Sequence, residues 1–355
     1  MLLSDSVVAM DSTTNRIWFM PMRYTVVTDA NFSIGLGHVM RQFALAKRAK
    51  QKGFEPVFIS HSNEVGKRCA EHDTPFVLAK SMEVIADQVL EIGADRLIID
   101  VYERNFNVFR ALCKYMPLSV VIVSKEYFSF TPFGSHLIYV GSDLEQWDNL
   151  QKSKHEGELT VIHSGRAWMI FREEFHGQTN EDKLENNAVL IAHGGTDPYG
   201  LTARCLRALE YTKMTGSIYI LVTSTFRNLA EIYQLSESSK HQCKVILDTN
   251  NVANWMRRSK VALINGGNIR YELCIAQTAF IALSINTNQY NCTSQLSRLG
   301  ACLNLGVADD LSDVKIAASV DALLADEQHR CLMQNKMDGL FDLRGADRIL
   351  ELLKE

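Results

Sequence analysis

Short apolar runs alternate with longer amphipathic stretches almost from one end of the chain to the other. Arg23–Asp29 reads as a buried strand, followed by a glycine turn and the helical pattern His38–Gly53. Pro56–Ser60, Arg96–Asp100, Leu118–Val123 and the shorter His136–Val140 read as further strands. Irregular, charge-rich residues come next, including Lys152–Glu158. The polar segment His176–Asn187 has no apolar period and reads as a linker or hinge. The alternation then resumes with strands Val189–Ala192, Ser217–Val222, Lys244–Leu247, Val261–Ile264 and Phe280–Leu283. Helical patterns, among them Leu201–Tyr211 and Arg227–Ser236, lie between these strands, and the chain from Asp310 onward reads as helical. Alternation of this kind argues an α/β fold with parallel, doubly wound sheets.

The chain has 355 residues, too long for one ordinary core and suited to two. The expected organisation is an extension at 1–22, a first Rossmann-like half at 23–175, a linker at 176–187 and a second Rossmann-like half at 188–355. Met1–Arg23 lacks a basic leader followed by an apolar stretch, so it does not read as a signal peptide; Met20 or Met22 is an alternative start.

Composition narrows the function classes. Hydrophobic residues at 46% and charged residues at 22% suit a globular protein, and no apolar run is long enough to span a bilayer. A net charge of −4 without a basic stripe gives no general attraction to nucleic acid. The eight cysteines show no C-x-x-C spacing, and several fall within apolar helical patterns. A reducing, cytoplasmic setting is therefore expected rather than a disulfide scaffold.

Candidate chemistry concentrates in three glycine turns. In Asp29–Arg41, DANFSIGLGHVMR, Gly35 and Gly37 follow a strand and open a helix, so backbone N–H groups there can face a phosphate or a sugar oxygen. His38 falls in the first helical turn, at the sheet edge where open α/β folds bind ligands. A histidine there is either a general base near neutral pH or a residue that caps or packs the helix start. G-L-G-H is not G-x-G-x-x-G, so a nicotinamide cofactor is not expected.

The second turn is AHGGTDPY, with Gly194 and Gly195, where Thr196 and Asp197 can cap the next helix and Pro198 suits its first turn. The third is NGGNIRYE, with Gly267, Asn268 and Glu272. Each is either a plain strand-to-helix connection or half of a diphosphate cradle built from main-chain donors and helix dipoles. Glu272 is either a solvated helix charge or an acceptor for ribose hydroxyls. Asn288 and Gln289 follow a strand near the same edge, where amides can bind sugar or phosphate oxygens. With no Asp-x-Asp pair and no H-E-x-x-H, chemistry without a metal or other cofactor is expected.

The ordered set GLGHVMRQFALA, IIDVY (Ile98–Tyr102), FREEF (Phe171–Phe175), HGGTD, NGGNIRYE and the late Asn288–Gln289 resembles a known family. It is similar to the hydrolases that cleave UDP-2,4-diacetamido-2,4,6-trideoxy-β-L-altropyranose in pseudaminic acid biosynthesis. These are relatives of GT-B glycosyltransferases such as the peptidoglycan enzyme that uses UDP-GlcNAc. The resemblance runs from about Arg23 to Gly300 and implies a GT-B-like pair of Rossmann-like domains facing a cleft. It also implies metal-independent hydrolysis at the anomeric carbon, releasing UDP. By the resemblance, His38 is the base, Tyr102 and Asn288 are active-site residues, and Glu272 holds the ribose. The loop Asp248–Met256, centred near Val252, would read the uracil edge.

One departure stands out. Where the family carries an Asp-Asp pair after the strand Leu118–Val123, this chain has Ser124–Lys125–Glu126, followed by the aromatic-rich loop Tyr127–Gly134. That loop either packs on the body of the domain or lines a site for a more apolar partner. The alternatives to hydrolysis are transfer of a sugar to a cell-surface glycan and nucleotide-sugar binding without chemistry.

Overall fold

The computed structural model describes residues 8–10, 17–19, 21–30, 35–102, 106–123, 131–141, 144–155, 157–176 and 188–355. The expected linker, apart from His176, lies outside these residues, as do the Ser124–Glu126 departure and the first half, Tyr127–Phe130, of the aromatic loop after it.

Ahead of the first sheet, β1 (Val8–Met10) and β2 (Ile17–Phe19) pair antiparallel within the expected extension. The first sheet contains β3 (Met22–Thr28), β4 (Phe54–Ser60), β5 (Phe76–Leu78), β6 (Arg96–Asp100), β7 (Leu118–Val123), β8 (His136–Tyr139), β9 (Asn149–His155) and β10 (Glu158–Ser164). Their order is β5-β4-β3-β6-β7-β8-β10-β9, parallel except for β9. The second sheet contains β11 (Val189–Ala192), β12 (Ile218–Val222), β13 (Cys243–Leu247), β14 (Val261–Ile264), β15 (Ala279–Ser284) and β16 (Leu303–Val307). Its order is β13-β12-β11-β14-β15-β16, all parallel.

Helices cover these sheets. In the first half they are α1 (Gly37–Gln51), α2 (Asn63–Glu71), α3 (Ile85–Ile92) and α4 (Asn107–Cys113). The second half carries α5 (Leu201–Leu209), α6 (Leu229–Ser238), α7 (Val252–Arg257), α8 (Ile269–Ala276), α9 (Thr287–Arg298), α10 (Asp313–Ala325) and α11 (Glu327–Met337), and α12 (Gly345–Leu352) follows. The central strands β7, β11, β14 and β15 are buried along their whole length, which explains why they read as continuous apolar runs instead of alternating ones.

Two expectations are corrected. Lys152–His155 and Glu158, within a segment read as irregular, belong instead to the antiparallel pair β9–β10. As an edge strand, β9 exposes Lys152 and Lys154, so it carries no apolar alternation for a sequence reading to detect. The last helix, assigned to the second half, packs against the first. Arg48 of α1 forms a fork with Asp347, at 2.6 and 3.0 Å, and Arg348 donates to the Ala167 carbonyl at 2.8 Å. α12 therefore joins the first half, although the chain reaches it from the second.

All eight cysteines are free, and no described helix is long and apolar enough to cross a membrane. Two buried histidines give the fold a pH dependence. Burial pushes His193, just after β11, down to about 4, with Asp197 opposing. Burial and the neighbouring His136 likewise push His163 of β10 down to about 4. The unfolded chain takes up these protons below about pH 6.5 and the native state resists until about pH 4, so stability falls as pH drops through that window. The fully buried His193 accounts for on the order of 3 kcal/mol of that loss by pH 4. Urea midpoints are expected to fall steadily between pH 6.5 and 4.5, with a shallower slope in a His193→Gln protein. Parallel slopes in the two proteins would remove His193 from the explanation.

Candidate functional site

The sheet topology brings the first cluster together. β3 and β6 are neighbours, and Thr28 lies opposite Asp100 in their register. Asp29 and Asp100 therefore emerge side by side at the carboxyl edge, where α1 begins at Gly37.

His38, Arg41 and Gln42 lie within about a turn of one another on α1, and all three converge on Asp100. His38 Nδ1 lies 2.7 Å from Asp100 Oδ1; Arg41 Nε donates to Oδ2 at 2.6 Å, and Gln42 Nε2 donates to Oδ2 at 2.7 Å. Arg41 Nη2 also donates to Asp100 Oδ1. Burial pushes the Asp100 carboxyl up, but Arg41 and His38 outweigh it and hold it well below the usual carboxylate range. An ionised carboxylate only accepts, so the proton of neutral His38 sits on Nδ1 and Nε2 is left as an acceptor.

Tyr102 stands next to this pair, its ring edge-on to His38 with centroids 6.5 Å apart. Both oxygens of Asp29 accept the Tyr102 backbone N–H, at 3.2 and 3.1 Å, so Asp29 supports the loop that carries the tyrosine. Burial raises the Asp29 carboxyl above its ordinary range, and His38 and the Tyr102 N–H partly offset that rise.

The three glycine turns meet across the gap between the halves. A methyl group on Gly195 would lie 2.8 Å from Leu36 Cδ1, one on Gly35 would lie 3.8 Å from Thr196 Oγ1, and one on Gly37 would lie 3.8 Å from Asn268 Nδ2. Gly194, with φ +83°, lets the chain leave β11 in a left-handed conformation directly in front of this junction. Arg41, Val140 and Phe171 from one side and Asn268, Tyr271 and Glu272 from the other line a shared pocket.

Several expected ligand residues turn out to hold the turns in place. Asp197 accepts the N–H groups of Leu201 and Thr202, at 2.9 and 2.8 Å, capping α5 as anticipated; α5 starts three residues beyond Pro198, which lies in the preceding turn. Gln289 Oε1 accepts the Gly266 and Ile285 N–H groups, at 3.0 and 3.3 Å, bracing the third turn against the end of β15. Asn288 lies in the first turn of α9, close to that brace; its side chain is outside the described residues. The backbones of Val252 and Ala253 donate to Glu174, the latter at 3.2 Å. Glu272 forms a two-point pair with Arg172, at 2.8 and 2.7 Å.

Sequence reading missed Asp100, Gln42, Arg172 and Glu174 as site residues. Asp100 left one signal: a carboxylate closing a strand that is otherwise apolar after Arg96, at the edge where His38 was already expected. Gln42, Arg172 and Glu174 lie within GLGHVMRQFALA and FREEF, but their partners show only once the elements are packed.

No family model matches the chain. It is 24% identical over 285 residues, 76% of its length, to an uncharacterized protein of Methanocaldococcus jannaschii, and the match spans 57% of that relative. It is 20% identical to the spore coat polysaccharide biosynthesis protein SpsG of Bacillus subtilis, covering 94% of this chain and 98% of that one. With the UDP-2,4-diacetamido-2,4,6-trideoxy-beta-L-altropyranose hydrolase of Campylobacter jejuni it shares 22% identity, covering 79% and 97%. Among solved structures, Acinetobacter baumannii MurG matches with TM-score 0.63 and 12% identity, covering 94% of this chain and 99% of MurG. Anabaena Alr3699/HepE, solved with UDP and glucose, matches with TM-score 0.61 and 12% identity, covering 93% and 99%. The chain thus has the GT-B fold, two parallel-sheet domains clad in helices.

Proposed function

We propose that this protein hydrolyses a UDP-activated 2,4-diacetamido-2,4,6-trideoxyhexose at its anomeric carbon, without a metal, releasing UDP and the free sugar. The observation that carries the reading is the His38–Asp100 pair on the helix that opens at the first glycine turn, where turns from both halves meet beside a shared pocket lined by Arg41. His38 Nε2 takes a proton from water, the water oxygen bonds to the anomeric carbon, and the bond from that carbon to the diphosphate oxygen breaks. Asp100 steadies the imidazolium that forms. A diphosphate leaves without much protonation, so main-chain donors and helix N-termini suffice to stabilise it. The named hydrolase among the relatives supports this substrate class.

Transfer to an acceptor hydroxyl is the second reading, favoured by the likeness to solved glycosyltransferases. It uses the same base on a different nucleophile.

In both readings Glu272 accepts ribose hydroxyls. Glu272→Gln is expected to weaken UDP binding by about 1.5–3 kcal/mol, the usual scale for a hydrogen bond to a charged group. Calorimetry that finds equal UDP affinity in a folded E272Q protein would withdraw the ribose assignment.

A further inference from the structure

Arg172 belongs to the segment leading out of the first half, and none of the chemistry above uses it. It meets Glu272 fork to fork, Nε to Oε1 at 2.8 Å and Nη2 to Oε2 at 2.7 Å. Its third nitrogen, Nη1, faces Glu174 Oε1 at 3.5 Å. Glu174 Oε1 accepts the Ala253 N–H at the amino end of α7. The Phe175 ring lies 5.5 Å beneath the guanidinium carbon. One cation thus sits between two half-buried carboxylates at the edge of the shared pocket.

A carboxylate offers about four lone-pair positions, and the fork occupies one on each oxygen of Glu272. One position on each oxygen is left, in a plane the guanidinium fixes. Without Arg172, Glu272 would rotate about its side-chain bonds and be repelled by Glu174. Lysine carries the charge but cannot reproduce the planar fork.

We infer that Arg172 is a positioning residue for the nucleotide. It fixes the Glu272 carboxylate for ribose hydroxyls and, through Glu174, ties it to the backbone at the amino end of α7. The inference rests on the ribose role proposed for Glu272. A merely structural arginine would weaken all nucleotides alike, whereas a positioning one governs the choice between ribose and its deoxy forms.

The test measures binding of UDP, 2′-deoxy-UDP and 3′-deoxy-UDP to wild type, R172K and E272Q. Wild type is expected to prefer UDP to at least one deoxy analogue by about tenfold or more, and R172K and E272Q to lose most of that preference. If E272Q keeps it, the Glu272 reading falls and this inference with it. If E272Q loses it and R172K keeps it, only the role of Arg172 is overturned. Should R172K fail to fold, the Arg172 Nε–H NMR signal of the wild type decides. It is expected to stay protected from exchange at saturating UDP, and loss of protection on binding would show that the pair opens, contradicting the inference.

Discussion

Replacing His38 by Asn is expected to lower kcat about 10²- to 10⁴-fold, the usual contribution of a general base. UDP affinity and Tm are expected to stay near wild type, because the proposed nucleotide contacts lie on the other half and Asp100 keeps Arg41 and Gln42 as partners when His38 is replaced. Asp100→Asn separates the two roles of the cluster. It removes the group that fixes the His38 tautomer, so kcat falls with it. It also strands Arg41, whose side chain is only 10% exposed, so the protein loses about 3–5 kcal/mol of stability, the scale for breaking a buried pair. A loss of rate without a loss of stability in H38N, and of both in D100N, is the signature. Normal turnover in a folded H38N protein would return His38 to a helix-capping role and make Tyr102 the next candidate base.

The second large effect is structural. Gly345 opens α12, and a methyl group there would run into the Met169 carbonyl and lie 3.0 Å from the Met169 nitrogen. Backbone on both sides leaves nothing to give way, so Gly345→Ala must move α12 off the first half, pulling at the Arg48–Asp347 fork and the Arg348–Ala167 bond. A loss of about 3 kcal/mol or more is expected in urea unfolding, at the upper end of single-substitution effects. An unchanged midpoint would mean that α12 adjusts without penalty.

Much of the fold was legible because the central strands are parallel and buried on both faces. Arg96–Asp100, Leu118–Val123 and Val261–Ile264 were read with their observed bounds, being short apolar runs closed by polar or glycine-containing turns. β9 was not legible, since an exposed edge strand rich in lysine looks like a charged loop. β5 and β16 escaped too: one is three residues long, and the other, LNLGV, is half-buried and broken by glycine. The return of α12 to the first half could not be read locally either, because it rests on contacts such as that between Arg48 and Asp347, 299 residues apart.

The site divides in a similar way. Glycine turns announce themselves by composition and by position after a strand, so Gly35, Gly37, Gly195 and the neighbouring Asn268 were read in turns that now meet across the halves. Which polar side chain touches ligand and which braces a turn is decided by packing. Asp29, Asp197 and Gln289 have carboxylate or amide oxygens occupied by backbone N–H groups, while Asp100 holds Arg41 and Arg172 holds Glu272, both of which line the pocket.

The most direct test is to incubate the protein with UDP-2,4-diacetamido-2,4,6-trideoxy-β-L-altropyranose in oxygen-18 water, with excess chelator and no acceptor, and to follow the label by mass spectrometry. The account predicts release of UDP together with a free sugar that carries the heavy oxygen at its anomeric position, and no label in the diphosphate. Label in the UDP, or no UDP release until an acceptor hydroxyl is supplied, would contradict it.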